Sequence, residues 1–98
     1  MSFSGTSEAT ALGVAVDEES VSVDLTDGRT ITVPLSWYPR LLHGSSAERA
    51  NWRLISRGGG IHWPDLDEDI RVESLLEGRR SGEGAESLGR WLSGRDAL

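Results

Sequence analysis

The chain has 98 residues, no cysteine, 37 % hydrophobic residues and a formal net charge of −6. That length holds one small domain, and the missing thiols exclude a disulfide scaffold, a thiolate zinc site and a cysteine nucleophile. Apolar runs of a few residues are too short for a membrane-crossing helix, and the composition is that of a folded acidic protein rather than a disordered one.

Met1-Ser2-Phe3-Ser4-Gly5 has neither the basic nor the apolar region of a secretory leader, so a cytoplasmic location is expected. Residues 1–10 read as an N-terminal arm. Leu12-Gly13-Val14-Ala15-Val16 is an apolar run that suits a strand, interrupted by the turn-forming Asp17-Glu18-Glu19-Ser20. Val21-Ser22-Val23-Asp24-Leu25 then alternates apolar with polar, the period of a half-buried strand. Asp27-Gly28 tolerates the positive φ of a two-residue hairpin turn. Ile31 and Val33 resume the alternation as far as Pro34, which cannot donate to a ladder. Two or three antiparallel strands are therefore expected between residues 11 and 35.

Ser36 to Gly44 reads as a short helix capped by Ser36, with Pro39 in the first turn, where its absent N–H costs little, and Gly44 past the end. Ser45 and Glu48 have capping-box spacing and open a helix across Ala47, Ala50 and Leu54, which Gly58-Gly59-Gly60 stops. Ile61-His62-Trp63-Pro64 is expected to be extended or irregular, because residues before proline avoid the helical region. Asp65-Leu66-Asp67-Glu68-Asp69 follows, and Val72 to Glu77 makes a short helical turn closed by Gly78. Ser81-Gly82-Glu83-Gly84 has linker composition, and beyond it Leu88, Trp91 and Leu92 form one narrow helical stripe. The expected fold is α+β: a small antiparallel sheet of two to four strands packed against short helices within residues 11–78. Residues 79–98 add a linker and a C-terminal helix.

All ten basic residues are arginine. Residues 1–35 and 65–98 are acidic on balance, whereas residues 36–64 carry four arginines against one glutamate. Pairing between the basic middle and its acidic flanks is the expected use of this pattern. A mainly acidic exterior repels phosphate and anionic lipid, which argues against a membrane partner and disfavours nucleic acid.

One set of residues stands in a recognisable order. It runs through Asp27-Gly28-Arg29, Val33-Pro34-Leu35, Trp37-Tyr38-Pro39-Arg40-Leu41, Asn51-Trp52 and then Gly60-Ile61-His62-Trp63-Pro64-Asp65-Leu66-Asp67-Glu68-Asp69-Ile70. This resembles the bacterial domain of unknown function 2442 (DUF2442) family over residues 11–78. The resemblance implies a small α+β domain and carries over no activity and no catalytic residue. It also implies a protein partner, since members resembling it are encoded beside another small protein in a toxin–antitoxin-like arrangement. Some relatives append a helix-turn-helix, for which residues 79–98 are too short.

The residues themselves leave three uses open. His62 with Asp65, Asp67, Glu68 and Asp69 is an oxygen-rich set with one nitrogen, the chemistry of a hard cation site. It lacks the loop glycine and terminal glutamate of an EF-hand, so a cap near Ile70 and pairing to arginine are expected, with no metal and no cofactor. Trp37, Trp52 and Trp63 interleave with Arg40, Arg49, Arg53 and Arg57, which suits base stacking in a nucleic-acid-binding or regulatory module. The same rings also suit a core, with Trp63-Pro64 latched to Asp67-Glu68-Asp69 and an aspartate accepting the indole N–H. Trp91 either folds back or inserts into another chain. The expected function is a non-enzymatic protein-interaction module that binds another protein or a second copy of itself. Trp37, Pro39, Arg40, His62, Trp63, Asp67, Glu68, Asp69 and Trp91 are its candidate residues.

Overall fold

The alternating segment Val21 to Leu25 becomes the central strand of the first of two sheets. The computed structural model describes residues 9–96, so most of the expected N-terminal arm and residues 97–98 of the tail lie outside the described residues. Strands β1 (Ala11–Val16), β2 (Ser20–Leu25) and β3 (Thr30–Pro34) form an antiparallel meander in that order. Val21, Val23 and Leu25 are buried on one face. On the other face, Ser22 meets Thr32 at 2.9 Å and Thr30 donates to Asp24 at 2.7 Å, so polar side chains pair where no core would accept them. In β1 the register skips Leu12, a bulge that turns this leucine outward on an edge strand.

A 3-10 turn (Leu35–Trp37), α1 (Pro39–Leu42) and α2 (Ser46–Ala50) follow. The expected cap at Ser36 is not used. Tyr38 precedes proline and lies outside the helical region, φ −128 and ψ 87, so the 3-10 turn does not run on and α1 starts only at Pro39. Ser45 and Glu48 do close the expected capping box. That helix ends at Ala50, however, and Leu54 lies in a strand instead. Its pairing opposite Ile61 overrides the weak preference of a five-residue helix.

The second sheet is the largest departure from the expected single sheet. It contains β4 (Arg53–Ile55), β5 (Gly60–Trp63) and β6 (Glu68–Arg71), again antiparallel in chain order. Helices α3 (Val72–Leu76) and α4 (Ala85–Asp96) complete the α+β chain. Ile61, Trp63, Leu66 and Ile70 join the valines and leucines of the first sheet, with Tyr38 and Leu41, in one core. Among the described residues, no helix is long and apolar enough to cross a membrane.

The β4–β5 hairpin turns through three successive left-handed residues, Ser56, Arg57 and Gly58, the last at φ 86. A Cβ on Gly58 would lie 3.0 Å from the Thr10 Cβ and 3.1 Å from the Ala11 carbonyl oxygen. Gly58→Ala is therefore expected to lower the unfolding free energy by about 1–2 kcal/mol in urea titration. An unchanged midpoint would contradict this placement of the hairpin against β1.

Candidate functional site

The acid-rich run does not converge. A turn over residues 64–67 joins β5 to β6 with Asp67 at φ 51, and it aims each carboxylate differently. Asp65 accepts a hydrogen bond from the Asn51 amide at 2.9 Å. Asp67 faces solvent and meets the Arg40 guanidinium at 3.3 Å through its side chain and 3.0 Å through its carbonyl. Asp69 lies opposite His62 on the outer face of the sheet, 2.5 Å from its Nδ1. Glu68 pairs with Trp63 in register and shares its core-side face. Among the described residues no three His, Asp or Glu side chains come together to hold a metal ion. The expected aspartate cap near Ile70 is also absent: Arg71 occupies the N-cap of α3 without a side-chain bond.

Glu68 is the chemically unusual member. Burial pushes its carboxyl up to about 7; the nearby Arg40 guanidinium opposes this, and the Glu83, Asp69 and Asp67 carboxylates add to it. In the unfolded chain the same group titrates near 4.5. The native state thus holds the proton more tightly, and stability declines as pH rises from about 4.5 to about 7. Glu68→Gln keeps the shape and removes the charge. It is expected to stabilise the chain by about 2 kcal/mol at pH 8 and hardly at all at pH 4, measured by urea unfolding at both values.

Arg40 organises the other charges. It sits in α1, its side chain only 15 % exposed, and forms a two-pronged pair with Glu83 at 2.7 and 3.0 Å. Glu83 is itself held below the usual carboxylate range by Arg40 and by the Ser87 hydroxyl. The Arg40 guanidinium also lies 5.0 Å from the centre of the Trp91 ring, and Arg95 lies 4.8 Å from that centre. Arg95 further pairs with Glu48 at 2.7 Å. Helix α4 is therefore docked on the body, and Trp91 folds back onto the core between two arginines. The segment with linker composition is tied down as well. Ser81 donates to the Trp37 carbonyl at 3.1 Å, and the Tyr38 hydroxyl to the Arg79 carbonyl at 3.3 Å.

The tryptophans are structural to differing degrees. Trp63 is fully buried, and its indole N–H donates to the Arg49 carbonyl at 2.9 Å, not to an aspartate as expected. The acidic run turns away from the core at Asp67 and Asp69, whereas the end of α2 passes directly over the ring. Trp37 and Trp52 are half-buried and pack against the core, with Arg80 lying 5.1 Å above Trp37. Arg49 is committed too, capping the last carbonyls of α1 at Leu41 and Leu42. Pro39 occupies the first position of α1, as expected.

Glu83, Arg49 and Arg95 were missing from the candidate set. Glu83 lies between two glycines and resembles solvated linker. Arg49 and Arg95 act through tertiary contacts that no local pattern announces.

Residues 11–81 match the family described as a protein of unknown function, DUF2442. The chain belongs to the DUF2442 family. A crystal structure of a protein of unknown function from Rhodospirillum rubrum is similar at 26 % identity and a TM-score of 0.67, covering 76 % of this chain and 93 % of that one. A solution structure of an uncharacterised protein from Chromobacterium violaceum shares the fold at 19 % identity and a TM-score of 0.67, covering 88 % of this chain and 79 % of that one. No curated protein matches. Within the matched residues, Ile61 to Ile70 covers most of β5, the turn and most of β6, the segment that contributes Trp63 and Leu66 to the core and Glu68 beside them.

Proposed function

We propose that this DUF2442 chain is a non-enzymatic, cytoplasmic protein-interaction module, the antitoxin-like partner of a small protein encoded beside it. Residues 11–78 form its domain and residues 79–98 an appendage, which is clasped to the domain through Glu83, Trp91 and Arg95. The reading is carried by the sheet edges. Leu12 on β1 is 64 % exposed, Leu54 on β4 and Leu76 beside β6 are each 38 % exposed, and all three strands end their sheets. Exposed apolar side chains beside unpaired strand edges are the ingredients of protein association.

Two further observations favour this reading over the alternatives. Arg40, Arg49 and three of the tryptophan rings are engaged internally or capped by arginine, which leaves a stacking platform little to work with. His62 and Glu68 lie on opposite faces of the second sheet, so the residues best suited to acid–base chemistry do not share a substrate. Co-expression with the product of the adjacent reading frame, followed by size exclusion with light scattering, tests the proposal. A complex of defined stoichiometry is expected, and recovery of this chain only in homomeric form would contradict it.

A further inference from the structure

Each of the four sheet edges is finished differently. The β1 edge is broken by the bulge at Leu12 and lies near α2, β3 ends in Pro34 and packs near α3, and β4 has only three residues. Strand β6 is the remaining edge. The amide of Val72 donates to the Gly59 carbonyl at 3.0 Å, and hydrogen-bonding direction alternates along an antiparallel strand. The amide and carbonyl of Asp69 and the amide of Arg71 therefore point away from β5. Among the described residues they have no backbone partner.

This edge lies between two hollows. A groove of about 650 Å³ opens on the outer face, with Ile55, Val72 and Leu76 in its wall. A cleft of about 290 Å³ opens on the core side, bordered by Tyr38, Glu68, Arg79 and Arg80. Asp69, Ile70 and Arg71 border both. A strand added to β6 would send successive side chains alternately into the groove and the cleft. The groove wall supplies aliphatic surface. The cleft brings Arg79 and Arg80 beside the core-side face of β6 on a chain of net charge −6, with Arg79 partly satisfied by Glu77 at 2.5 Å, while the Arg71 side chain shares the outer face with Asp69. Glu68 in the same cleft keeps its proton up to about 7, which lessens the negative charge it brings to the core side.

We propose that the free edge of β6 receives an extended segment of a partner protein in which apolar and acidic side chains alternate. The apolar side chains enter the groove beside Ile55 and Leu76, and the acidic ones meet the arginines of the cleft. This rests on the interaction-module reading and names the surface and the chemistry of the partner.

The test titrates the ¹⁵N-labelled full chain with an acetylated six-residue peptide of alternating leucine and aspartate. Saturable shifts centred on the Asp69 and Arg71 amides are expected. Arg71 is extended, φ −91 and ψ 136, so Arg71→Pro removes the outward amide at a position where proline is tolerable. It is expected to weaken binding at least about 10-fold, while Arg71→Ala, which keeps the amide, weakens it only about 2–3-fold. A leucine–lysine peptide should bind about 10-fold more weakly than the leucine–aspartate one. Should Arg71→Pro fail to fold, N-methylation of alternate peptide amides removes the same bonds from the other side. Absence of shifts at β6, or equal binding by both peptides, overturns the proposal. So does a concentration-dependent dimer abolished by Arg71→Pro, because the occupant is then a second copy. A complex with the neighbouring protein that survives Arg71→Pro would sink the β6 assignment and leave the interaction module standing.

Discussion

Trp63→Ala is expected to lower the free energy of unfolding by about 3–5 kcal/mol, the range for emptying a large buried aromatic site. Trp63 is completely buried in the shared core of the two sheets, and its indole N–H is satisfied by the Arg49 carbonyl. The loss has two parts: apolar surface returned to water, and a void that a two-sheet core cannot close without moving both sheets. A domain of this size has total stability of about 5–15 kcal/mol, so the variant loses a large share of it and melts tens of degrees lower or fails to fold. Trp63→Phe separates the parts, because it fills most of the volume and deletes the hydrogen bond. An expected cost of about 1–2 kcal/mol beyond the lost area, read from urea midpoints, would assign that bond its share. A fully stable Trp63→Ala protein would mean the ring lies outside the core.

Arg40→Ala is the second large effect. The guanidinium holds Glu83, whose side chain is only 8 % exposed, and touches the Asp67 backbone and the Trp91 ring. Removing it leaves an enclosed carboxylate without its partner. The expected cost is about 2–3 kcal/mol, between the 0–1 of open surface pairs and the 3–5 of sealed ones. Arg40→Lys restores the charge without the two-pronged geometry and is expected to recover less than half of it. The pH dependence has a definite sign. Glu83 has a lowered native pKa, so its contribution is present above the ordinary carboxylate value of 4.5 and disappears as pH falls through the native one. The gap between wild type and Arg40→Ala should therefore narrow in acid. Faster amide exchange confined to α4, with the two sheets unchanged, would locate the damage at the clasp.

Both effects concern residues whose importance was visible in the sequence before their partners were. The first sheet was legible because Val21 to Leu25 alternates cleanly and Asp27-Gly28 marks its turn, although that turn spans Thr26 to Arg29 rather than two residues. The capping box at Ser45 and Glu48 and the stripe at Leu88, Trp91 and Leu92 were legible for the same reason, since local spacing alone specifies them. The second sheet was not. Its strands are three or four residues long, and Gly60-Ile61-His62-Trp63 has too few positions to establish a period. Glu68 could not be separated from its acidic neighbours either. Only the four-residue turn from Pro64 to Asp67 fixes which of Glu68 and Asp69 faces inward, and a register shift of one would exchange them.

The clasp reinterprets the alternation of charge along the chain. Arg40 from the basic middle reaches Asp67 and Glu83 in the acidic C-terminal flank, and Glu48 from the middle is reached by Arg95. The expected pairing between the basic middle and an acidic flank is thus present in Arg40 with Asp67 and Glu83, and in this DUF2442 chain it also docks the terminal helix.

The central claim is that the indoles, with Arg40 and Arg49 of the basic middle, are internal architecture. Native-state hydrogen exchange of the Trp63 indole N–H, followed by NMR across low denaturant concentrations, tests it most directly. The account predicts exchange only through global unfolding, with a denaturant slope equal to that of the whole domain. Rapid exchange independent of denaturant would show an indole open to solvent and would contradict it.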